Sequence, residues 1–296
     1  MKMDKKKLKS YLVWTFTIAW VLQVIGSIFS LRGNSLMFTF VLAVSMYAPF
    51  FGTLLARIPL QGMGLKPKFK GNLKYFAAAW LLPAVFTALG AVLYFLIFPD
   101  RLDLTGMYLR ETGGEAVIQQ LEAQGITLPL YMIITVMTSL IYAPWINMFF
   151  ALGEEVGWRG AMDPMLKDCF GKAKGSVLGG IIWGAWHWPV MIIAGYEYGK
   201  GYWGEPILGM VMFCLFAVVL GTLLDFSYEK TECIWVPALA HGAVNGVCSV
   251  PMLFLNTAYS NQLTIGPLPI GFISMIPMIL VAAIVLWQQK KQQEEK

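Results

Sequence analysis

ILGMVMFCLFAVVLGTLL, residues 207–224, runs for 18 positions without a charged side chain. A helix rises 1.5 Å per residue, and about 20 apolar residues cross the ~30 Å hydrocarbon core of a bilayer. The stretch therefore has the length of a membrane span, and the rest of the chain repeats it. Comparable segments occur at 11–31, 36–57, 73–98, 130–152, 176–195, 206–225, 233–250 and 267–287. A barrel would need alternating strands of ~10 residues, half the length of these continuous runs. The sequence predicts an all-α, polytopic helical bundle with about eight transmembrane helices, a single integral membrane domain over residues 1–296.

Composition agrees. The 296 residues are 57% hydrophobic and 13% charged, with mean hydropathy +0.63. A soluble domain carries about 25% charged residues. The net charge of +5 arises from lysines beside apolar spans, without a nucleic-acid-binding motif, so no nucleic-acid partner is expected. Cys169, Cys214, Cys233 and Cys248 are scattered, as reduced thiols packed among helices would be. The apolar run behind Lys2, Lys5, Lys6, Lys7 and Lys9 is too long for a signal peptide's core and reads as an uncleaved anchor.

Charge orients the spans. With a cytoplasmic N-terminus, 18 of the 22 lysines and arginines fall on the cytoplasmic side. Arg32, Arg101, Arg110 and Lys200 fall on the other. The positive-inside rule then puts both termini in the cytoplasm. The longest outer loop, 99–128, is acidic and long enough for a short surface helix.

Ionisable side chains are costly in lipid and usually functional. They concentrate in three stretches within 150–250. These are Gly153-Glu154-Glu155-Val156-Gly157-Trp158-Arg159-Gly160 at the end of span four, Trp183 to Pro189 in span five, and His241 to Asn245 in span seven. His187 and His241 are the only histidines. Glu155 and Arg159 are i,i+4 with the acid first, the favourable order for an ion pair. Glu154 is turned about 100° away, free to face a cavity. His241 and Asn245 share a helix face, as do Trp183 and His187. Counted from Cys233 and Ser176, the histidines lie about 12 Å and 16 Å along their helices, in the cytoplasmic half. Pro189 lacks an amide hydrogen and weakens span five just beyond His187. Three segments are thus expected to meet at one wet pocket. The tryptophans read as packing or interfacial anchors, and neither Asn147 nor Asp225 belongs to a motif.

Together, Glu154-Glu155-x-x-x-Arg159, Trp183-x-x-x-His187 and His241-x-x-x-Asn245 resemble the CPBP family. That family includes the type II CAAX prenyl proteases and the bacterial Abi-type bacteriocin-processing or immunity proteins. The likeness covers about 150–250, with the motifs in the family's order. Trp183 stands where the prenyl proteases favour phenylalanine, which marks the bacterial branch. The resemblance implies an intramembrane peptidase of the bacterial cell membrane, its site facing the cytoplasm and its substrate a peptide or membrane-associated protein. Glu154 would activate water as general base and His187 would hold it. His241 and Asn245 would stabilise the oxyanion, supported by Glu155 and Arg159. It leaves the cofactor as none or zinc, with Glu154, His187 and His241 the candidate ligands. The missing HExxH favours the metal-free form. A non-catalytic immunity or scaffold protein on the same fold is the alternative. A proton-coupled transporter fits less well, because the halves show no repeat symmetry.

Overall fold

The computed structural model describes residues 4–294. Lys2 and Lys296, counted above as cytoplasmic cations, lie outside the described residues, as do the side chains of Glu115 and Val117. The described chain is helical with no strand. It comprises α1 (Lys5–Leu31), α2 (Ser35–Ser45), α3 (Ala48–Leu55), α4 (Leu73–Ile97), α5 (Met107–Gly113), α6 (Glu115–Ala123) and α7 (Leu128–Ile141). There follow α8 (Ala143–Glu155), α9 (Asp163–Phe170), α10 (Lys172–Trp186), α11 (Trp188–Ala194), α12 (Ile207–Thr231), α13 (Trp235–Val247) and α14 (Phe272–Glu294). Seven helical segments have the length and composition of a span, and an eighth is a bent pair, α7 with Ala143–Phe170 at 44°. The predicted polytopic bundle is the observed one. The acidic 99–128 loop forms two short helices, α5 and α6.

The fourth span differs from its predicted end. Helix does not stop near residue 152 but continues through a π-helical turn, Val156–Met162, into α9. Glu154, Glu155, Arg159 and Asp163 make this stretch look like a helix end by hydropathy. Each is nonetheless buried: Arg159 pairs with Glu155 and Asp163, and two indole N–H groups bond Glu154. Glu154 therefore lies within a continuous helical run. π turns of this kind widen the helix and are frequent at functional sites.

Two features set the helix spacing around the site. Gly242 lets α13 press against α8: a Cβ there would sit 2.4 Å from the Met148 amide nitrogen and 2.7 Å from the Pro144 carbonyl oxygen. Small residues allow such approach in membrane bundles. The other feature is the α10–α11 break. Pro189 cannot continue the backbone ladder, so α10 ends at Trp186 and α11 starts at Trp188, with His187 at the joint. The Trp186 carbonyl left at the joint accepts from Trp20 Nε1 at 3.2 Å and Gln23 Nε2 at 3.0 Å, which anchors it to α1.

Alternating helix directions give the bundle two unlike ends. At the basic end, Ile234 N and Trp235 Nε1 donate to the Gly64 and Leu65 carbonyls, and Lys68 pairs with Glu232. At the far end, Asp103 N donates to the Phe254 carbonyl, Asn256 N to that of Arg101, and Tyr198 Oη to that of Ile270.

Candidate active site

Glu154 is almost wholly buried, 2% exposed, and one carboxylate oxygen holds it in place. Oε2 accepts from Trp183 Nε1 at 2.7 Å and from Trp158 Nε1 at 3.1 Å. Both bonds fall on Oε2, so neither occupies Oε1. Two N–H donors are what a desolvated carboxylate requires in place of water.

Glu155 points another way, as the helix rotation predicts, but it has two partners. Arg159 lies at 3.3 Å from it, by Nε to Oε2 and by Nη1 to Oε1. His241 Nδ1 lies at 2.8 Å from Oε1. Arg159 continues to Asp163 at 3.8 Å and stacks its guanidinium 4.6 Å from the Trp183 ring. The expected Glu155–Arg159 pair is present. The third member, His241, is 86 residues away, and no local spacing announces it.

Trp183 sits at the centre. It donates to Glu154, packs edge-on against His241 at 5.1 Å, and its carbonyl accepts from His187 Nδ1 at 3.1 Å. A carbonyl only accepts, so Nδ1 of His187 carries the hydrogen and Nε2 is left free. His187 is also walled by Trp186 and Phe213, with ring centroids at 4.5 Å and 4.6 Å. Asn245, one turn beyond His241 on the same helix, is exposed. The three motifs thus share one neighbourhood, joined through Trp183 and Glu155. Trp183, read from sequence as packing or an interfacial anchor, turns out to be a hydrogen-bond donor to the central carboxylate, as is Trp158. Asp225 also has a place: Lys167 Nζ bonds its carboxylate and Glu229, and Ser176 Oγ donates to it at 2.8 Å.

A zinc ion would need Glu154, His187 and His241 to converge on one point. Among the described residues no three His, Cys, Asp or Glu side chains form such a group. The donor set does not fit the ion, and no step below runs through one.

Residues 135–247 match the family described as type II CAAX prenyl endopeptidase Rce1-like, a segment that contains all three motifs. The segment is similar to that family across all three motifs. The chain is also similar to CAAX prenyl protease 2 of Methanococcus maripaludis, at 24% identity over 194 residues. The similarity covers 64% of this chain and 65% of the relative, so the chain spans just under two thirds of the relative's length. The match falls on the segment that builds the site, α7 to α13.

Proposed function

We propose that the chain is an intramembrane endopeptidase that hydrolyses a peptide bond in a membrane-associated peptide or protein of a bacterial cell membrane. The observation that carries this reading is the Glu154 carboxylate, buried and held through Oε2 by Trp183, whose ring and carbonyl also meet His241 and His187. Oε1 takes a proton from water as the water oxygen bonds to the scissile carbonyl carbon. His187 Nε2 accepts that water's second hydrogen and orients it. Negative charge grows on the carbonyl oxygen, where His241 Nε2–H and Asn245 Nδ2–H donate. His241 Nδ1 faces the Glu155 carboxylate at 2.8 Å, so Nε2 is the nitrogen left to meet the substrate. When the C–N bond breaks, Glu154 returns its proton to the leaving nitrogen. General base and oxyanion donors are each worth factors of about 10²–10⁴.

The positive-inside distribution supports both ends of the chain lying in the cytoplasm. Two probes test the activity: a quenched fluorogenic peptide with a prenylated C-terminal cysteine motif, and an acylated peptide without prenylation. The purified protein should cleave at least one, and His241→Ala should reduce that cleavage by 100-fold or more. Cleavage equal to wild type in His241→Ala would remove the proposed site.

A further inference from the structure

His187 stands at the joint between α10 and α11, and the peptide unit that carries it is held from another part of the chain. The Trp186 carbonyl and the His187 amide belong to one planar unit. The amide donates to the Gly184 carbonyl at 3.1 Å. The carbonyl accepts from Gln23 Nε2 at 3.0 Å and from Trp20 Nε1 at 3.2 Å, both on α1. A carbonyl oxygen has two lone pairs, and α1 fills both. Three hydrogen bonds thus fix the plane from which the His187 Cα departs. Two of the three come from α1, which lies outside the matched segment 135–247.

Gln23 is 1% exposed within a 27-residue span, where an amide is costly unless it is paired. Tyr11, Thr15, Ala19, Gln23 and Ser27 follow at four-residue intervals and are all buried, so one stripe of α1 faces the bundle. The other polar members of the stripe make other contacts. Thr15 packs on Gly52, where no Cβ would fit, and Ser27 Oγ donates to the Gln23 carbonyl at 2.7 Å. Tyr11 meets the Trp158 ring edge-on at 6.1 Å, and Trp158 meets Trp186 at 6.2 Å. The Trp186 ring in turn lies 4.5 Å from that of His187. Gln23 is the member of the stripe whose side chain reaches the joint.

We propose that Gln23, seconded by Trp20, is a positioning residue for His187. This role rests on the peptidase reading above and extends the catalytic apparatus beyond the three motifs to α1. The two α1 donors hold the joint so that the imidazole keeps Nδ1–H on the Trp183 carbonyl and Nε2 free for water. Loss of the Gln23 amide lets the peptide unit turn, and the ring then leaves the Trp183 carbonyl or exchanges tautomers.

Magnetic resonance tests this without reference to activity. The chain has two histidines, so isotopic labelling of histidine ring nitrogens gives resonances from His187 and His241 alone, and His241→Ala assigns them. In the purified chain, Gln23→Met keeps the length of the side chain and removes its donor. The His187 ring resonances should shift or split, with those of His241 unmoved. Trp20→Phe removes the other donor at a side chain 40% exposed, should move the same resonances, and decides the question if Gln23→Met does not fold. Unmoved His187 resonances, or equal displacement of both histidines, overturn the proposal. Kinetics gives a second reading. With whichever probe is cleaved, Gln23→Met should lower kcat about tenfold, the scale of one hydrogen bond, and leave KM little changed. In a His187→Ala background it should cause no further loss, because it acts through that ring. The same loss repeated in that background overturns the proposal as well. A wild-type chain that cleaves neither probe defeats the peptidase reading, while the resonances still decide the role of Gln23.

Discussion

Glu155 on α8 and His241 on α13 are joined by a 2.8 Å hydrogen bond between buried side chains, and Arg159 holds the same carboxylate from the other side. The bond turns Nδ1 of the imidazole toward Glu155 and leaves Nε2 on the other side of the ring. A carboxylate placed this way fixes the orientation of the ring.

Glu155→Gln keeps the shape of the side chain and removes its charge. A charge-assisted hydrogen bond contributes about 1.5–3 kcal/mol, so kcat for whichever probe is cleaved should fall by about 10–100-fold. KM should change little, since Glu155 is remote from bound peptide. Michaelis curves for the two proteins check this, and an unchanged kcat would show that His241 is not held through Glu155.

Trp183→Phe removes the shorter of the two N–H bonds to Glu154 while keeping a ring in the packing site. The carboxylate is left with Trp158 as its indole donor, at a cost of about 1–3 kcal/mol for an unmatched buried acceptor. Activity should drop about tenfold or more, and the drop should exceed that of Trp186→Phe, whose indole does not touch Glu154. Equal losses in the two variants would return Trp183 to a packing role.

Gly242→Ala places a methyl group where the α8 backbone already stands. Backbone cannot yield as a flexible side chain can, and overpacking of this kind costs about 1–3 kcal/mol. The purified variant should melt several degrees below wild type, with reduced cleavage because His241 and Asn245 flank the glycine. A melting temperature equal to wild type would mean that the contact between α8 and α13 is looser than described.

Burial pushes the Glu197 carboxyl up to about 7. A raised carboxyl disfavours the folded state once ionised, so stability falls as pH rises from the ordinary glutamate range toward 7 and is level beyond it. Glu197→Gln should therefore be more stable than wild type above pH 7, with the gap closing below about pH 4.5. Tyr196, Tyr198 and Cys248 are its electrostatic neighbours and remain in both proteins. Thermal melts across this range test the difference. A gap that is the same at every pH contradicts it.

The fold was legible because the apolar runs obey the bilayer's dimensions. The break at His187 was legible too, because Pro189 dictates it locally. Span four escaped the same logic. Glu154, Glu155, Arg159 and Asp163 lower its hydropathy, and only tertiary pairing shows that they are inside. The polar motifs pointed to one neighbourhood, since i,i+4 spacing fixes which side chains share a helix face. They could not show which residues join the helices. That Glu155 reaches His241, that Trp183 donates to Glu154 while its carbonyl orients His187, and that Lys167 and Ser176 receive Asp225 are long-range facts. Tryptophan in an apolar helix carries no mark that separates a donor from a filler.

Glu154→Gln tests the central claim most directly, because it preserves volume and removes only the ability to take a proton. Cleavage of the susceptible probe by purified, folded Glu154→Gln should be at least 10³-fold slower than by wild type, with the melting temperature within a few degrees. A variant that cleaves at the wild-type rate would contradict a glutamate base at this site.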